Sequence, residues 1–286
     1  MAYASFADLL EAARTHGSLG AAALAREADE SERTPEALTE RMAETLAVMR
    51  DAVARGRTSS ARSRSGLTGG DANAVANSTA GPVGGLFTQT LASALATAEV
   101  NAAMGRIVAA PTGGASGVLP AVILEVASAV GATDAAVIEA LFAAGGVGGV
   151  IAARATLSGA AGGCQAEVGS GAAMAAAAAT QLAGGTPEQA GHAASLAMQG
   201  LLGLVCDPVG GLVEVPCVVR NATGAAVALS AVEMALAGVE FPIPFDEVVD
   251  AAAHVGRSLP PSLRETAGGG LAATVTAHQL VTKSCS

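Results

Sequence analysis

The middle of the chain is almost without basic side chains, and this limits where it can lie in a folded protein. Between Arg106 and Arg220 there is one basic residue, Arg154, and no lysine. A stretch so poor in charge is typical of a protein interior or of a subunit interface. The 286-residue chain has no tryptophan, one tyrosine and five phenylalanines, so alanine, valine and leucine must fill its core. Because alanine has the lowest free-energy cost in a helix, this composition predicts an all-α fold, a compact domain of Ala/Gly-rich helices.

The first part of the chain carries amphipathic patterns with local start and stop signals. Ser5 is a capping residue, and Thr34 followed by Pro35 is a typical helix start. The patterns predict three helices packed on the core, over residues 6–15, about 19–28 and 36–55.

Beyond a short polar link the sequence consists of Ala-rich segments separated by glycine clusters such as Gly145–Gly149. We interpret these clusters as tight turns between helices. Only Val209–Val219 has the alternation typical of a strand. The chain is therefore divided into N-terminal helices (residues 1–56) and a core domain with a C-terminal tail (residues 57–286).

Several classes of function are disfavoured by charge and composition. A net charge of −10 argues against nucleic-acid binding, which needs clustered lysine and arginine. The longest uncharged runs consist of small residues with prolines and lack aromatic or basic flanks, so we interpret them as buried helices and expect no membrane span. The N-terminus, with Asp8 and Glu11 in its first apolar stretch, is no signal peptide, and we expect a cytoplasmic protein.

Two cofactor classes are also disfavoured. The glycine clusters follow no predicted strand, and no P-loop motif is present, so a phosphate-binding loop is not expected. Pyridoxal phosphate needs a lysine for its Schiff base. The chain has one lysine, Lys283, three residues from its end, and we therefore exclude this cofactor.

Four cysteines are the strongest candidates for chemistry. Cys164, Cys206 and Cys217 lie in short segments rich in glycine or proline, and Cys285 is the penultimate residue. Three fixed thiolates and one on a mobile tail suit a metal centre with a labile position. Their separations of 42, 11 and 68 residues fit no short motif, so buried thiols, a disulfide, a zinc site and an iron–sulfur cluster all remain open.

Other polar residues interrupt apolar or Gly-rich stretches. Arg220, Asn221 and Arg264 are candidates for holding a substrate, because an arginine fork suits a carboxylate. Glu99 and Asn101 punctuate a long Ala-rich helix and are expected to face inward. An internal ion pair is the alternative role for these residues. The lone histidines are interpreted as surface or hydrogen-bonded residues.

Seven segments together resemble one family: Ser65-Gly-Leu-Thr-Gly-Gly-Asp71, Glu99-Val-Asn-Ala-Ala-Met-Gly105, Pro111-Thr-Gly-Gly-Ala-Ser-Gly117, Ser158-Gly-Ala-Ala-Gly-Gly-Cys-Gln-Ala-Glu-Val-Gly169, Gly203-Leu-Val-Cys-Asp-Pro208, Leu212-Val-Glu-Val-Pro-Cys217 and Leu263-Arg-Glu-Thr266. They are similar to the α chain of the iron–sulfur-dependent L-serine dehydratases, and the resemblance is dense from Ser65 to about Thr276. It implies a helical catalytic domain and a [4Fe–4S] cluster held by Cys164, Cys206 and Cys217, with Cys285 as a candidate cap of the open iron.

The resemblance also implies an activity and a partner. A family member of this kind removes the β-hydroxyl and α-proton of L-serine, giving pyruvate and ammonia. The chain is too short to include the family's β domain, so we expect a separate β-type subunit and a hetero-oligomer. The general base is not assigned and is sought on either chain. The candidate substrate-binding residues are Ser65, Thr68, Gly69, Gly70, Asp71, Asn101, Thr112, Ser116, Gly117, Arg220, Asn221 and Arg264.

The sequence departs from the family's pattern at several positions, where polar residues are mostly replaced: Ala74, Ala153-Arg154, Gln199-Gly200, Val219, Val227 and Val275. Because several of these flank the cysteine motifs, an altered substrate is expected alongside the serine hypothesis. The alternatives are a paralogue acting on another β-hydroxy or β-thio amino acid, and a non-catalytic metal-binding subunit.

Overall fold

The computed structural model describes residues 3–284, and within them it confirms the all-α fold. That part of the chain contains thirteen α-helices and no strand. The helices are α1 (Phe6–His16), α2 (Leu19–Ser31), α3 (Pro35–Thr58), α4 (Asp71–Ala76), α5 (Gly85–Ala102), α6 (Val118–Val130), α7 (Asp134–Arg154), α8 (Gly159–Gly162), α9 (Ser170–Leu182), α10 (Pro187–Gln199), α11 (Cys217–Leu236), α12 (Phe245–Ser258) and α13 (Val275–Ser284). A π-helical turn spans Gln165–Gly169, and 3-10 turns span Val209–Gly211, Pro261–Leu263 and Gly270–Ala273.

The N-terminal helices begin and end close to where the sequence predicts. The Ser5 side chain accepts a hydrogen bond from the Asp8 amide, and Gly17 ends α1 in the left-handed conformation with φ 92°. The prediction for the end of α3 is wrong, because the helix continues through Gly56 to Thr58. A Cβ at Gly56 would collide with the backbone of Ala96 on α5, so this glycine permits close helix packing.

Helix α9 lies at the centre of the molecule. Every residue from Ser170 to Thr180 is buried, and the helix packs against α6, α7, α10 and α11. Most of these residues are alanines, which allow neighbouring helix backbones to approach closely. The same core includes Leu9, Leu19 and Met49, so the N-terminal helices pack on it directly. The division at residue 56 stays a prediction.

The interpretation of Gly145–Gly149 as a turn is wrong, because these glycines lie inside α7. Gly146 faces Leu9 and Ala23, and Gly148 faces Met174, so both serve close packing. By length and composition α7 is the one helix of the described residues that could cross a membrane. In this fold it packs against α2 and α9, and its inward residues belong to the main core.

The strand prediction for Val209–Val219 is also wrong. The segment forms a 3-10 turn and then enters α11. Gly210 and Gly211 have φ values of 63° and 72°, which break any extended run. In the described part of the chain the sole β-type pairing is an isolated parallel bridge between Cys206 and Arg264.

Candidate metal and substrate site

Cys164 is positioned by a π-helical turn at the start of the central helix α9. It directly precedes the π-helical turn Gln165–Gly169, which continues into α9. The preceding Gly163 has φ 77°, a conformation that glycine adopts at little cost. The Gln165 amide donates to the carbonyl of Leu204 at 3.0 Å, which brings the Cys164 turn beside the Cys206 segment.

Cys206 is held by backbone pairing with a distant segment. Its amide donates to Leu263 O at 2.9 Å, and its carbonyl accepts from the Glu265 amide at 2.7 Å. These bonds fix Cys206 and place Arg264 and Glu265 beside it. The sequence motif that ends in Thr266 is therefore a structural neighbour of the cysteine site.

Cys217 is the first residue of α11 and follows a cis peptide bond between Val215 and Pro216. The helix start is stabilised by a 2.8 Å hydrogen bond from the Val218 amide to the carbonyl of Glu214. All three cysteines are buried and none forms a disulfide. Cys285, the candidate cap, lies outside the described residues.

The three thiols influence one another electrostatically. Burial raises the pKa of Cys164 to about 11, with Arg220 opposing this rise. Burial also raises the pKa of Cys217, to about 12, and the neighbouring Cys164 adds to the increase. The pKa of Cys206 is raised by burial and by Cys164, Glu167, Glu265 and Cys217, in that order. Cys164 thus lies close enough to raise the pKa of both Cys206 and Cys217, and a bound cation would stabilise the thiolate forms of all three.

Three thiols are the ligand type that iron–sulfur clusters use. Among residues 3–284 no three His, Cys, Asp or Glu side chains converge closely enough to bind one metal ion. In an iron–sulfur cluster each cysteine binds a different iron, so its ligands are spread more widely. The arrangement lends no support to a mononuclear zinc site within that range.

Arg220 and Asp207 join two cysteine segments. Arg220 Nη1 lies 2.8 Å from Asp207 Oδ1 and donates to the carbonyl of Val205 at 2.8 Å. Asp207 Oδ2 accepts from the Leu271 amide at 2.7 Å. Arg220 therefore contacts the residues on both sides of Cys206, and it also donates a hydrogen bond toward Cys164. The prediction that Arg220 binds substrate remains, but these contacts give it a structural role.

The loop before α6, residues 111–117, is held by two asparagines. Asn221 Oδ1 accepts from the Gly117 amide at 2.8 Å, and its Nδ2 donates to Gly114 O at 2.8 Å and to Cys217 O at 2.9 Å. Asn101 Nδ2 donates to Gly113 O at 3.1 Å. Both predicted site residues therefore shape a loop, and Asn221 couples that loop to Cys217.

Glu167 brings this loop to the cysteines. Thr112 Oγ1 donates to Glu167 Oε1 at 2.7 Å. A Cβ placed on Gly159 would lie 2.5 Å from Glu167 Oε2 and 3.1 Å from Cys206 Sγ. Burial raises the pKa of Glu167, the Thr112 hydroxyl lowers it, and Glu265 raises it further. The partly buried carboxyl of Glu167 thus lies between Cys206 and the loop of residues 111–117, which contains predicted substrate-binding residues.

The predicted residues of the 65–71 segment are anchored to two acidic side chains. Ser65 and Ser63 both donate to Glu214 Oε2, the latter at 2.6 Å. Glu99 accepts from the amides of Gly70, Asp71 and Ala72 at the start of α4. Glu214 was missed by the sequence analysis, although a lone acid in the apolar run before Cys217 was a usable signal.

Several other predicted polar groups are buried without a partner. Within the described residues the hydroxyls of Thr68 and Ser116 and the Nε of Arg264 have no hydrogen-bond partner. Buried donors of this kind are costly unless water or a ligand satisfies them. By contrast, the Asp71 side chain is exposed, and Gly69 closely approaches the backbone of Ala61. Which of these contact a substrate stays a prediction.

The positions that depart from the family's pattern lie largely at the surface of this chain. Ala74, Ala153, Gln199, Gly200, Val219 and Val275 are exposed, whereas Arg154 and Val227 are partly buried. Arg154 forms an ion pair with Asp250 at 2.6 Å. Val219, two residues after Cys217, remains the departure most directly linked to a cysteine. Whether these departures alter the substrate stays a prediction.

Comparisons with known proteins agree on one family. The model described as serine dehydratase alpha chain matches residues 15–272. A probable L-serine dehydratase alpha chain from Bacillus subtilis is 49% identical over 263 residues, which cover 91% of this chain and 87% of that protein. The L-serine dehydratase alpha chain of Peptoniphilus asaccharolyticus is 43% identical over 205 residues, covering 72% and 70%. An L-serine dehydratase of Mycobacterium tuberculosis is 44% identical over 190 residues, covering 65% of this chain but 41% of that protein.

Proposed function

The chain belongs to the serine dehydratase alpha chain family, and from that premise we propose that it is the metal-binding catalytic subunit of an enzyme that converts L-serine to pyruvate and ammonia. The observation that carries this proposal is the grouping of three buried, unbridged thiols from three separate segments, with the loop of residues 111–117 linked to Cys217 through Asn221. Such a site on a helical core suits metal-assisted elimination.

In this proposal Cys164, Cys206 and Cys217 hold a [4Fe–4S] cluster. When bound, such a cluster supplies an iron with an open position, a Lewis acid that stabilises a departing hydroxyl. The chain's contribution is to present three thiols at fixed positions and to place Arg220 where its charge favours the thiolate of Cys164. Because these thiols must stay reduced, we place the enzyme in the cytoplasm.

The remaining residues bind and orient the amino acid. The Arg264 guanidinium, with its buried and unpartnered Nε, is the proposed partner of the substrate carboxylate. Elimination removes the α-proton and the β-hydroxyl as one water molecule and leaves 2-aminoacrylate. This enamine tautomerises to an imine, which a second water hydrolyses to pyruvate and ammonia. The base that takes the α-proton is sought on the loop of residues 111–117 or on a partner chain.

We further propose that a separate β-type chain covers the face beside the site. Leu212, Val213 and Val219 are exposed in the segments around Cys217, and Leu271 and Val275 are exposed in the segment that packs on the 3-10 turn Val209–Gly211. An apolar surface of this kind is typical of an interface. The M. tuberculosis relative is matched over only 41% of its length, which leaves more than half of that protein to supply another domain.

The test is anaerobic co-expression with a neighbouring β-type chain, followed by iron and sulfide analysis and a substrate panel. L-serine, L-threonine, L-cysteine and β-chloro-L-alanine are compared by release of the oxo acid. We expect L-serine to be the best substrate and a Cys164→Ser complex, assayed in parallel, to be inactive. Preference for another amino acid would replace the serine assignment, and no product from any of them would favour a non-catalytic subunit.

A further inference from the structure

A zwitterionic substrate needs a partner for its ammonium group as well as for its carboxylate. We propose that Glu167 is the residue that binds the α-ammonium and thereby selects amino acids over hydroxy acids. This inference rests on the proposed function, because it assigns a role within the same site.

The Glu167 carboxylate is held in one orientation. Thr112 Oγ1 donates to its Oε1 at 2.7 Å, and the glycine at position 114 leaves room on that side, since a Cβ there would lie 3.2 Å from Oε1. The other oxygen, Oε2, faces Gly159, where a Cβ would lie 2.5 Å away. Two glycines and a threonine therefore form a cradle that a side chain on either glycine would fill.

The position of Oε2 relates it to the metal-ligand candidates. The same Cβ on Gly159 would lie 3.1 Å from Cys206 Sγ, so the carboxylate and this sulfur border one small space. If a metal were held there, a serine whose β-hydroxyl was directed toward it would have its α-carbon two bonds from that hydroxyl oxygen. The ammonium group would then lie on the side of Oε2, because serine is only a few ångströms long.

The charge around Glu167 is unbalanced. Glu265 is a second acid close enough to influence it, and no cation is among the groups that shift the pKa of Glu167. A partly buried carboxylate with no cationic partner is costly. A ligand ammonium removes that cost, whereas a ligand without it does not. Arg264, bridged to Cys206, offers the complementary donor for the substrate carboxylate.

The experiment compares L-serine with 3-hydroxypropanoate, which has the same carboxylate and hydroxyl but no amino group. In the anaerobic α–β complex, Glu167→Gln should raise KM for L-serine by about 10- to 100-fold, as expected for loss of a charged hydrogen bond. The inhibition constant of 3-hydroxypropanoate should stay within about threefold or fall, because removal of a negative charge does not weaken binding of an anion. Glu240→Gln, which removes an exposed carboxylate, is the control and should change neither constant.

KM and the inhibition constant do not depend on the fraction of chains that hold a cluster, so partial loss of iron leaves the comparison valid. Glu167→Asp, which keeps the charge but withdraws it by one methylene, should give an intermediate KM. Equal changes in both constants, or a fall in kcat with KM unchanged, would overturn the assignment. A wild-type complex that fails to turn over L-serine contradicts the proposed function instead, which separates the two failures.

Discussion

Arg220 and Asp207 form a buried ion pair, with Nη1 2.8 Å from Oδ1, that connects the segment following Cys206 to the first turn of the helix beginning at Cys217. The pair is separated by only 13 positions in sequence, but the two residues belong to different elements. Arg220 also donates to the carbonyl of Val205, so this one side chain contacts the residues on both sides of Cys206. Two of the three candidate ligands are thus positioned by a single guanidinium.

Replacement of Arg220 should therefore destabilise the fold as well as the metal site. Arg220→Ala leaves Asp207 buried without its cationic partner, and we expect a loss of about 3–5 kcal/mol in the free energy of unfolding. Arg50→Ala is the matched control, because Arg50 and Asp134 form a comparably short ion pair at the surface. That control should cost less than about 1 kcal/mol. Urea unfolding followed by far-UV circular dichroism measures both, and equal costs would contradict the structural role of Arg220.

The cysteines provide a second prediction. Serine at position 164, 206 or 217 should individually reduce iron and labile sulfide from about four of each per chain to background, since all three ligands are needed to retain a cluster. Cys285→Ser is the control and should keep its iron, because a cap is not needed for assembly. Stoichiometric zinc without labile sulfide in the wild-type protein would refute the cluster proposal.

Local signals were sufficient for much of the fold. The caps Ser5, Gly17 and Thr34 act within a few residues of their helices, so the sequence alone located α1 to α3 well. Glycine was misinterpreted because its role depends on what packs against it. Gly56 and Gly148 lie within helices at points where another helix comes close, and no local pattern reveals that neighbour.

The candidate ligands of the site were predictable from the sequence, but the hydrogen bonds that join its distant segments were not. The local context of the cysteines and the polar interruptions at Asn101 and Asn221 identified these residues, and a family motif identified the loop before α6. The bonds from Ser63 and Ser65 to Glu214 span about 150 positions, and the bond from Thr112 to Glu167 spans 55. Such pairs arise from the tertiary fold, so the positions of Glu167 and Glu214 were not available from spacing.

Glu99 gives a prediction about pH. Burial raises its pKa above the usual 4.5, although the amides of Asp71, Ala72 and Gly70 oppose the rise. A carboxyl with a raised folded-state pKa contributes its full stability below the unfolded pKa and loses it as pH rises through the folded pKa. Glu99→Gln keeps an acceptor oxygen for the Asp71 and Ala72 amides but loses the one that serves the Gly70 amide. That loss does not depend on pH, so the stability of the variant relative to wild type should still increase from about pH 4.5 upward and then level off.

Urea unfolding across pH 4 to about 8 measures this difference, with Glu233→Gln on the exposed side of α11 as the control. A difference that does not change with pH would show that the Glu99 carboxyl is not strained by burial. Glu99→Ala should be destabilising by about 1–3 kcal/mol, with the larger cost at low pH, since it leaves three amides without an acceptor.

Alanine substitutions at two glycines within α7 allow the effects of helix propensity and of packing on stability to be measured separately. Gly145 is exposed with no atom within 4 Å of a Cβ built on it, so Gly145→Ala should stabilise the protein by about 0.5–1 kcal/mol. On Gly148 a Cβ would lie 3.0 Å from Met174 Cε and Sδ. Gly148→Ala should therefore gain nothing or lose stability, because the thioether must move. Equal melting temperatures for the two variants would contradict the packing role.

The partner surface is tested by placing a charge next to Cys217 and, as a control, at the far end of α6. Val219, 52% exposed, lies two residues after Cys217, whereas Val130, 49% exposed, ends α6. Helix α6 has 13 residues and is about 20 Å long, so Val130 lies far from the loop at its beginning. Val219→Glu should weaken capture of a tagged β-type chain at least about tenfold, because a charge must be desolvated at the interface, and Val130→Glu should not. Iron content confirms that the site remains loaded in both variants, and equal capture by the two would place the partner on another face.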